Sequence, residues 1–201
     1  MKLAACSSLL LTFLVACTST VPRAPLAKAV EAGQPGIRTF PINEVQGSAY
    51  VDDAVYAETT PESARIVISL HQQRAWLFHG DKAAVSTPIS TGVPAYPTPS
   101  GNFKILEKKE YHESSLYGNY VDAQGNVVLR DVNSRVNKAP PGTTWKGTPV
   151  PLWQRLTWDG VGMHIGKLPG QPASHGCLRF PSTVMPLIYA KTRLGTPVTI
   201  E

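Results

Sequence analysis

The stretch Gly162-Met163-His164-Ile165-Gly166-Lys167-Leu168-Pro169-Gly170-Gln171-Pro172-Ala173-Ser174-His175-Gly176-Cys177-Leu178-Arg179 decides how the chain is read. It carries Cys177, the only cysteine beyond the N-terminal leader, and two of the five histidines, His164 and His175. A free thiol titrates at about 8.5, so it needs a nearby imidazole or positive charge to react near neutral pH. His175 and Arg179 flank Cys177 and make its field positive, which lowers the expected pKa. Val161-Gly162-Met163 reads as a strand leading to His164, and a loop folding back from it brings imidazole to sulfur. Nucleophilic acyl transfer needs that pairing. Gly176 leaves room for a substrate backbone, and the amides around Cys177 are candidate donors to an oxyanion. Nothing local supplies a carboxylate to orient His164; the carbonyl of Ile165 or Gly166 is the alternative. Two other readings stay open on the residues alone: an inert buried cysteine, and a zinc site of His164, His175 and Cys177. The zinc reading lacks a fourth ligand and the usual ligand spacing.

Around this stretch the composition sets bounds. A chain of 201 residues, 42% hydrophobic, builds one good core. Eighteen prolines and sixteen glycines argue against a helical bundle and for short strands joined by many turns. The formal net charge is +5 without a basic run, so nucleic acid is not an expected partner.

The N-terminus reads as a leader. Lys2 precedes a mostly apolar run from Leu3 to Val15, too short to span a bilayer but suited to a secretory signal. Leu14-Val15-Ala16-Cys17 resembles a lipoprotein cleavage box, which implies a signal peptide over 1–16 and a lipid on Cys17. The cell envelope, with anchoring to the outer membrane, is the expected location. With Cys17 blocked, a structural disulfide is not expected. Residues 17–63, rich in Ala, Pro, Thr, Val and Glu, read as a tether with short extended pieces near 39–42 and 50–56.

Residues 64–201 read as the folded domain. Ile66–Leu70 and Ala75–Phe78 form a hairpin, Ala84–Ser90 a third strand, and Phe103–Leu106 another. From Lys108 to Asp159 the pattern weakens into scattered tyrosines and tryptophans, with one short strand at 127–129; such an insertion suits a lid or substrate wall. His112 lies in this part, within reach of the site, but a single histidine on a polar stretch assigns it no role. A helix capped by Ser182 and running to Arg193 is expected, followed by a last strand over 196–200.

Two separated motifs then carry a resemblance. Ser174-His175-Gly176-Cys177-Leu178-Arg179 with His164 upstream, and Ser90-Thr91-Gly92 with Pro97-Thr98-Pro99-Ser100-Gly101-Asn102-Phe103, resemble the signature of the L,D-transpeptidase family of peptidoglycan enzymes. The resemblance covers about 65–201. It implies a mainly β fold, a sandwich of curved mixed sheets with one or two helices, and no cofactor or metal. It implies Cys177 as nucleophile and His164 as acid/base, with Ser174, His175, Gly176, Arg179 and the Ile165 carbonyl shaping the pocket and oxyanion site. Peptidoglycan stem peptides are the implied substrate, with a stem amine or a lipoprotein lysine as acceptor. An L,D-carboxypeptidase and a non-catalytic wall-binding lipoprotein are the alternatives. The gap between His164 and Cys177 is shorter than in many members, so the wall at 167–172 has to be compact.

Overall fold

The computed structural model describes residues 35–201; the leader, Cys17 and most of the polar segment after it lie outside the described residues. In chain order, β1 (Ile37–Asn43), β2 (Gly47–Asp52) and helix α1 (Asp53–Glu58) precede β3 (Ala64–Ser69), β4 (Arg74–His79), β5 (Lys82–Pro88) and β6 (Gly101–Lys104). Then come β7 (Glu107–Lys109), β8 (Glu113–Val121), β9 (Val127–Asn133) and β10 (Thr144–Pro149). The chain closes with β11 (Trp153–Arg155), β12 (Gly162–Ile165), β13 (Leu178–Phe180), helix α2 (Met185–Ala190) and β14 (Pro197–Ile200).

These strands make three sheets. Seven strands run in the order β1-β2-β5-β4-β3-β14-β6, four in the order β13-β12-β11-β7, and three in the order β10-β8-β9. Both larger sheets mix parallel and antiparallel pairs: β14 runs parallel to β3, and β13 parallel to β12. The architecture is the mainly β, mixed-sheet arrangement with two short helices that the sequence leads one to expect. The core is continuous between the two larger sheets and α2. Ile66, Ile68, Leu77 and Val85 of one sheet join Met163, Leu178 and Phe180 of the other with Met185 and Ile188 of α2.

The two faces of the four-stranded sheet have different uses, and strand alternation sorts the residues between them. Met163, Leu178 and Gln154 are fully buried on the core side. Gln154 accepts from the Thr192 hydroxyl there, and Lys108 donates to the Tyr189 and Thr192 carbonyls at the end of α2. Trp153, Arg155, His164 and Arg179 alternate with these residues and take the other face.

Two expectations need correction. The tether was expected to reach residue 63, yet 37–58 form β1, β2 and α1 and add to the main sheet. Ala49 and Val51 alternate into the core at 0% exposed, and Asp52 caps α1 by accepting from the Ala54 and Val55 amides. Pro41 disguises β1 as linker; it is tolerated because β1 is an edge strand. The C-terminal helix is also shorter than expected. It spans only Met185–Ala190, its N-cap is Val184, and Ser182 does not cap it.

If 37–58 were a tether, Val51→Ala would be silent. The fold instead predicts a loss of about 2 kcal/mol, from two buried methyl groups and the space they leave. Urea unfolding of the two proteins measures it.

Candidate active site

The site is built on the turn from Ser174 to Cys177. Gly176 takes φ +108°, which only glycine adopts without strain. Ser174, 2% exposed, locks the turn: its hydroxyl donates to the Cys177 carbonyl at 2.5 Å and accepts from the Gly176 amide at 3.1 Å. The Gly176 amide is therefore engaged, so it is not the open oxyanion donor that the sequence left possible.

The second motif braces the first. The Thr91 carbonyl accepts from the Ala173 and Ser174 amides, and the Val93 amide donates back to the Ser174 carbonyl. Ser90 and Arg179 exchange two backbone hydrogen bonds. Thr98 donates to the Gly176 carbonyl at 2.9 Å while accepting from the Gly92 amide. Gly92 has no alternative residue: an added Cβ would stand 2.9 Å from the Gly176 Cα and 2.1 Å from the Tyr96 carbonyl oxygen. These contacts are why two motifs about eighty residues apart occur together.

His164 is 7% exposed and sits beside Arg179 across the β12–β13 pair. Its Nδ1 lies 2.8 Å from the Ile165 carbonyl, an acceptor, so Nδ1 carries the proton and Nε2 is left with its lone pair. Burial holds the imidazole well below its ordinary value, at about 4; the Ile165 bond opposes this, and Arg179 and His112 add to it. The Cys177 thiol donates to the Gly160 carbonyl at 3.5 Å rather than to the imidazole. Burial pushes its pKa up, against a hydrogen bond from the Gly162 amide and the charges of Arg179 and Arg155. The positive field expected from the sequence is present, but desolvation outweighs it. At rest both groups are neutral.

Cys177, His164, Ser174, His175 and Arg179 all line one cavity of about 310 Å³, within the range of small-molecule sites. Gly176 and Ile165 belong to its frame, one as the turn and one through its carbonyl. The His175 ring packs against two tyrosines. It is held between Tyr117, stacked at 4.3 Å, and Tyr96 at 4.7 Å. Tyr117 belongs to β8, so this stack joins the Ser174–Cys177 turn to the three-stranded sheet. That sheet, with Ser114, Leu116, Tyr117 and Asp131, walls the cavity, as the long insertion led one to expect. Among the described residues no three His, Cys, Asp or Glu side chains converge as a metal site requires.

His112 does reach the cavity from the insertion, and Trp153 and Arg155, which the sequence does not single out as site residues, line it as well. Trp153 and Arg155 were legible only as alternate positions of a three-residue strand. The indole of Trp153 lies over Gly162, where a Cβ would fall 2.4 Å from the ring, and the His112 ring stands 5.1 Å from it.

Comparison with known proteins gives the class. Residues 63–200 match the family model described as YkuD, L,D-transpeptidase catalytic domain. The chain belongs to the L,D-transpeptidase family. An L,D-transpeptidase from Mycobacterium smegmatis is similar in structure, with a TM-score of 0.52 at 19% identity over 69% of this chain and 58% of that one. The L,D-transpeptidase LdtMt1, solved in complex with imipenem, gives 0.52 at 18% identity, covering 69% and 59%. The catalytic domain of the Enterococcus faecium L,D-transpeptidase is 29% identical, with a TM-score of 0.49 and coverage of 70% and 98%. The match thus spans less than two thirds of the first two chains. No curated protein sequence matches.

The His164 environment sets a pH dependence of stability. An imidazole near 4 when folded and near 6.5 when unfolded makes the unfolded chain bind more protons between those values. Stability is then full above about 6.5, falls as pH drops toward 4, and levels off below, by on the order of 3 kcal/mol. Urea unfolding between pH 7 and pH 4 should show this loss, and His164→Asn should remove that share of it.

Proposed function

We propose that the chain is a peptidoglycan L,D-transpeptidase that uses Cys177 as nucleophile and His164 as acid and base. The observation that carries this is that one cavity is lined by both the Cys177 thiol, on a turn locked by Ser174, and the His164 imidazole, whose Nδ1–H is tied to the Ile165 carbonyl. The substrate is a tetrapeptide stem, cut between the diamino acid at position three and the terminal D-alanine.

Binding displaces the thiol from the Gly160 carbonyl, and rotation about the Cys177 Cα–Cβ bond carries sulfur toward the imidazole. Nε2 takes the thiol proton as sulfur attacks the stem carbonyl. The resulting oxyanion faces the Cys177 amide, the donor nearest the reacting carbon once the Gly176 amide is bonded to Ser174. The C–N bond then breaks, the D-alanine nitrogen receives the proton from His164, and a thioester remains. An acceptor amine attacks the thioester and gives its proton to His164, after which the thiolate leaves and is reprotonated. A stem diamino acid as acceptor makes a 3→3 cross-link, a lipoprotein lysine an attached protein, and water a trimmed stem. The cavity wall bears both signs, Arg155 and Arg179 against Asp131 and Asp159, which suits a zwitterionic diamino acid.

We further propose that the signal peptide is removed and that lipid on Cys17 holds the enzyme at the envelope. Metabolic labelling with a palmitate analogue should tag the wild-type chain and not Cys17→Ala.

The catalytic reading is tested by intact mass after incubation with imipenem. A single adduct is expected on wild type and none on Cys177→Ala, while His164→Ala should slow acylation by about 10²–10⁴, the usual worth of a general base. Muropeptide analysis of purified sacculi then separates cross-linking from trimming. An enzyme that neither forms the adduct nor alters the muropeptides would overturn the proposal.

A further inference from the structure

The register of the four-stranded sheet places Arg155 in a defined relation to the sulfur. Arg155 pairs with Gly162 on one side and with Glu107 on the other. Met163 pairs with Leu178 in parallel, so one residue back Gly162 stands opposite Cys177. A row therefore crosses the sheet as Glu107, Arg155, Gly162, Cys177. With strands spaced about 4.8 Å apart, the Arg155 and Cys177 backbones are separated by roughly 10 Å. The residue between them has no side chain. The Trp153 indole covers Gly162 as a flat floor.

The guanidinium is fixed from both sides. It lies 5.4 Å from the Trp153 ring and 5.6 Å from the Trp158 ring. Its carboxylate partner among the described residues is Glu107, at 3.6 Å, and that carboxylate also holds Lys109 at 3.2 Å. One negative charge thus faces two positive ones, and the cluster keeps a net cation. Arg155 lines the cavity, and its charge reaches the thiol.

We infer that Arg155 is the binding site for the carboxylate of the leaving amino acid. The inference rests on the function proposed above and names the group that the site selects. The leaving nitrogen has to lie beside His164 on β12 to collect its proton. The attacked carbon sits about 3 Å from sulfur, and a terminal carboxylate lies about 3.5 Å further along the chain. It then falls over β11, on the Trp153 floor and in front of the guanidinium. Arg179 stands on the other side of β12, on the edge strand β13, with its stem packed on Gly166, and so lies away from β11. A planar guanidinium held by aromatic faces is the group suited to a carboxylate.

Two measurements test this. The first compares a tetrapeptide stem ending in D-alanine with one ending in D-alaninamide. Wild type should prefer the free carboxylate by tenfold or more in kcat/KM, as a lost charge-assisted hydrogen bond implies. Arg155→Gln should reduce that preference to about unity, mainly by raising KM for the carboxylate stem, and Arg155→Lys should restore part of it. The second compares Cys177 alkylation by iodoacetate and iodoacetamide. Both reactions displace iodide from the same carbon, but only the first reagent carries a carboxylate. The iodoacetate-to-iodoacetamide rate ratio should fall severalfold in Arg155→Gln. Should the single variant not fold, the Glu107→Gln/Arg155→Gln pair removes both charges and takes its place.

A carboxylate preference that persists in the Gln variant overturns the inference, as does a wild type that treats the two stems alike. If wild type turns over neither stem, the proposed function has failed, and the alkylation ratio alone decides on the carboxylate site: a fall supports it and an unchanged ratio overturns it.

Discussion

The Ser174 hydroxyl, buried and bonded at both ends, fixes where the sulfur can be. It ties the Gly176 amide to the Cys177 carbonyl across a turn that glycine alone permits. The turn is closed on the outside by Thr98, on the parallel side by Thr91 and Val93, and on the lid side by the His175 stack. Thr91, Val93, Tyr96 and Thr98 come from one segment and Tyr117 from β8, both distant in sequence from the turn. A buried hydroxyl that lost one of its two partners would leave an unpaired backbone group behind, at about 1–3 kcal/mol. The turn is thus specified more by satisfied hydrogen bonds than by apolar packing. The apolar packing lies on the opposite face of the same sheet, under Met163 and Leu178.

The neutrality of the Cys177 thiol and the His164 imidazole follows from that arrangement. Arg155 and Arg179 both favour a thiolate, and an exposed cysteine between them would ionise readily. Here desolvation acts on thiol and imidazole alike, raising one pKa and lowering the other. The proton therefore rests on sulfur. A neutral imidazole also keeps its Nε2 lone pair available, which an imidazolium would not. The Ile165 carbonyl fits this state, since it accepts from one fixed nitrogen and needs no ionised partner. A carboxylate in its place would raise the imidazole pKa and move the resting proton toward nitrogen.

The turn and its brace were legible in the sequence because glycine, proline and small hydroxyl residues have few uses at high density. Ser174, Gly176 and Gly92 each solve a local backbone problem, and such solutions leave residue-type marks. The hairpin from Ile66 to Phe78 was legible through β-rich runs of ordinary length. The second wall of the cavity was not. β11 is three residues long, and a period of two cannot be seen in three positions. β10, β8 and β9 hold together by register and by aromatic contacts such as Tyr120 against Trp145, and they bury little alternating surface. Cysteine electrostatics were misjudged for a related reason: neighbouring charges can be read from sequence order, but burial cannot.

The folding of β1 and β2 brings the start of the folded domain closer in sequence to Cys17. The tip of this hairpin touches the loop between His164 and Cys177. The Asn43 amide donates to the Leu168 carbonyl, Gln46 donates to the Ile89 carbonyl, and Val45 packs where a Cβ on Gly170 would stand. The compact wall required by the short His164–Cys177 spacing is thus supported by a segment that precedes the family-matched region. With β1 beginning at Ile37, about 19 residues separate Cys17 from Gly36, and even fully extended they span at most ~65 Å. A tether reaching residue 63 would have spanned more than twice that distance. Among the described residues, β1 and β2 are the elements nearest Cys17 in sequence, and they brace the loop between His164 and Cys177. Any load reaching Ile37 from its N-terminal side acts on the edge of the sheet next to that loop, because β1 is the edge strand.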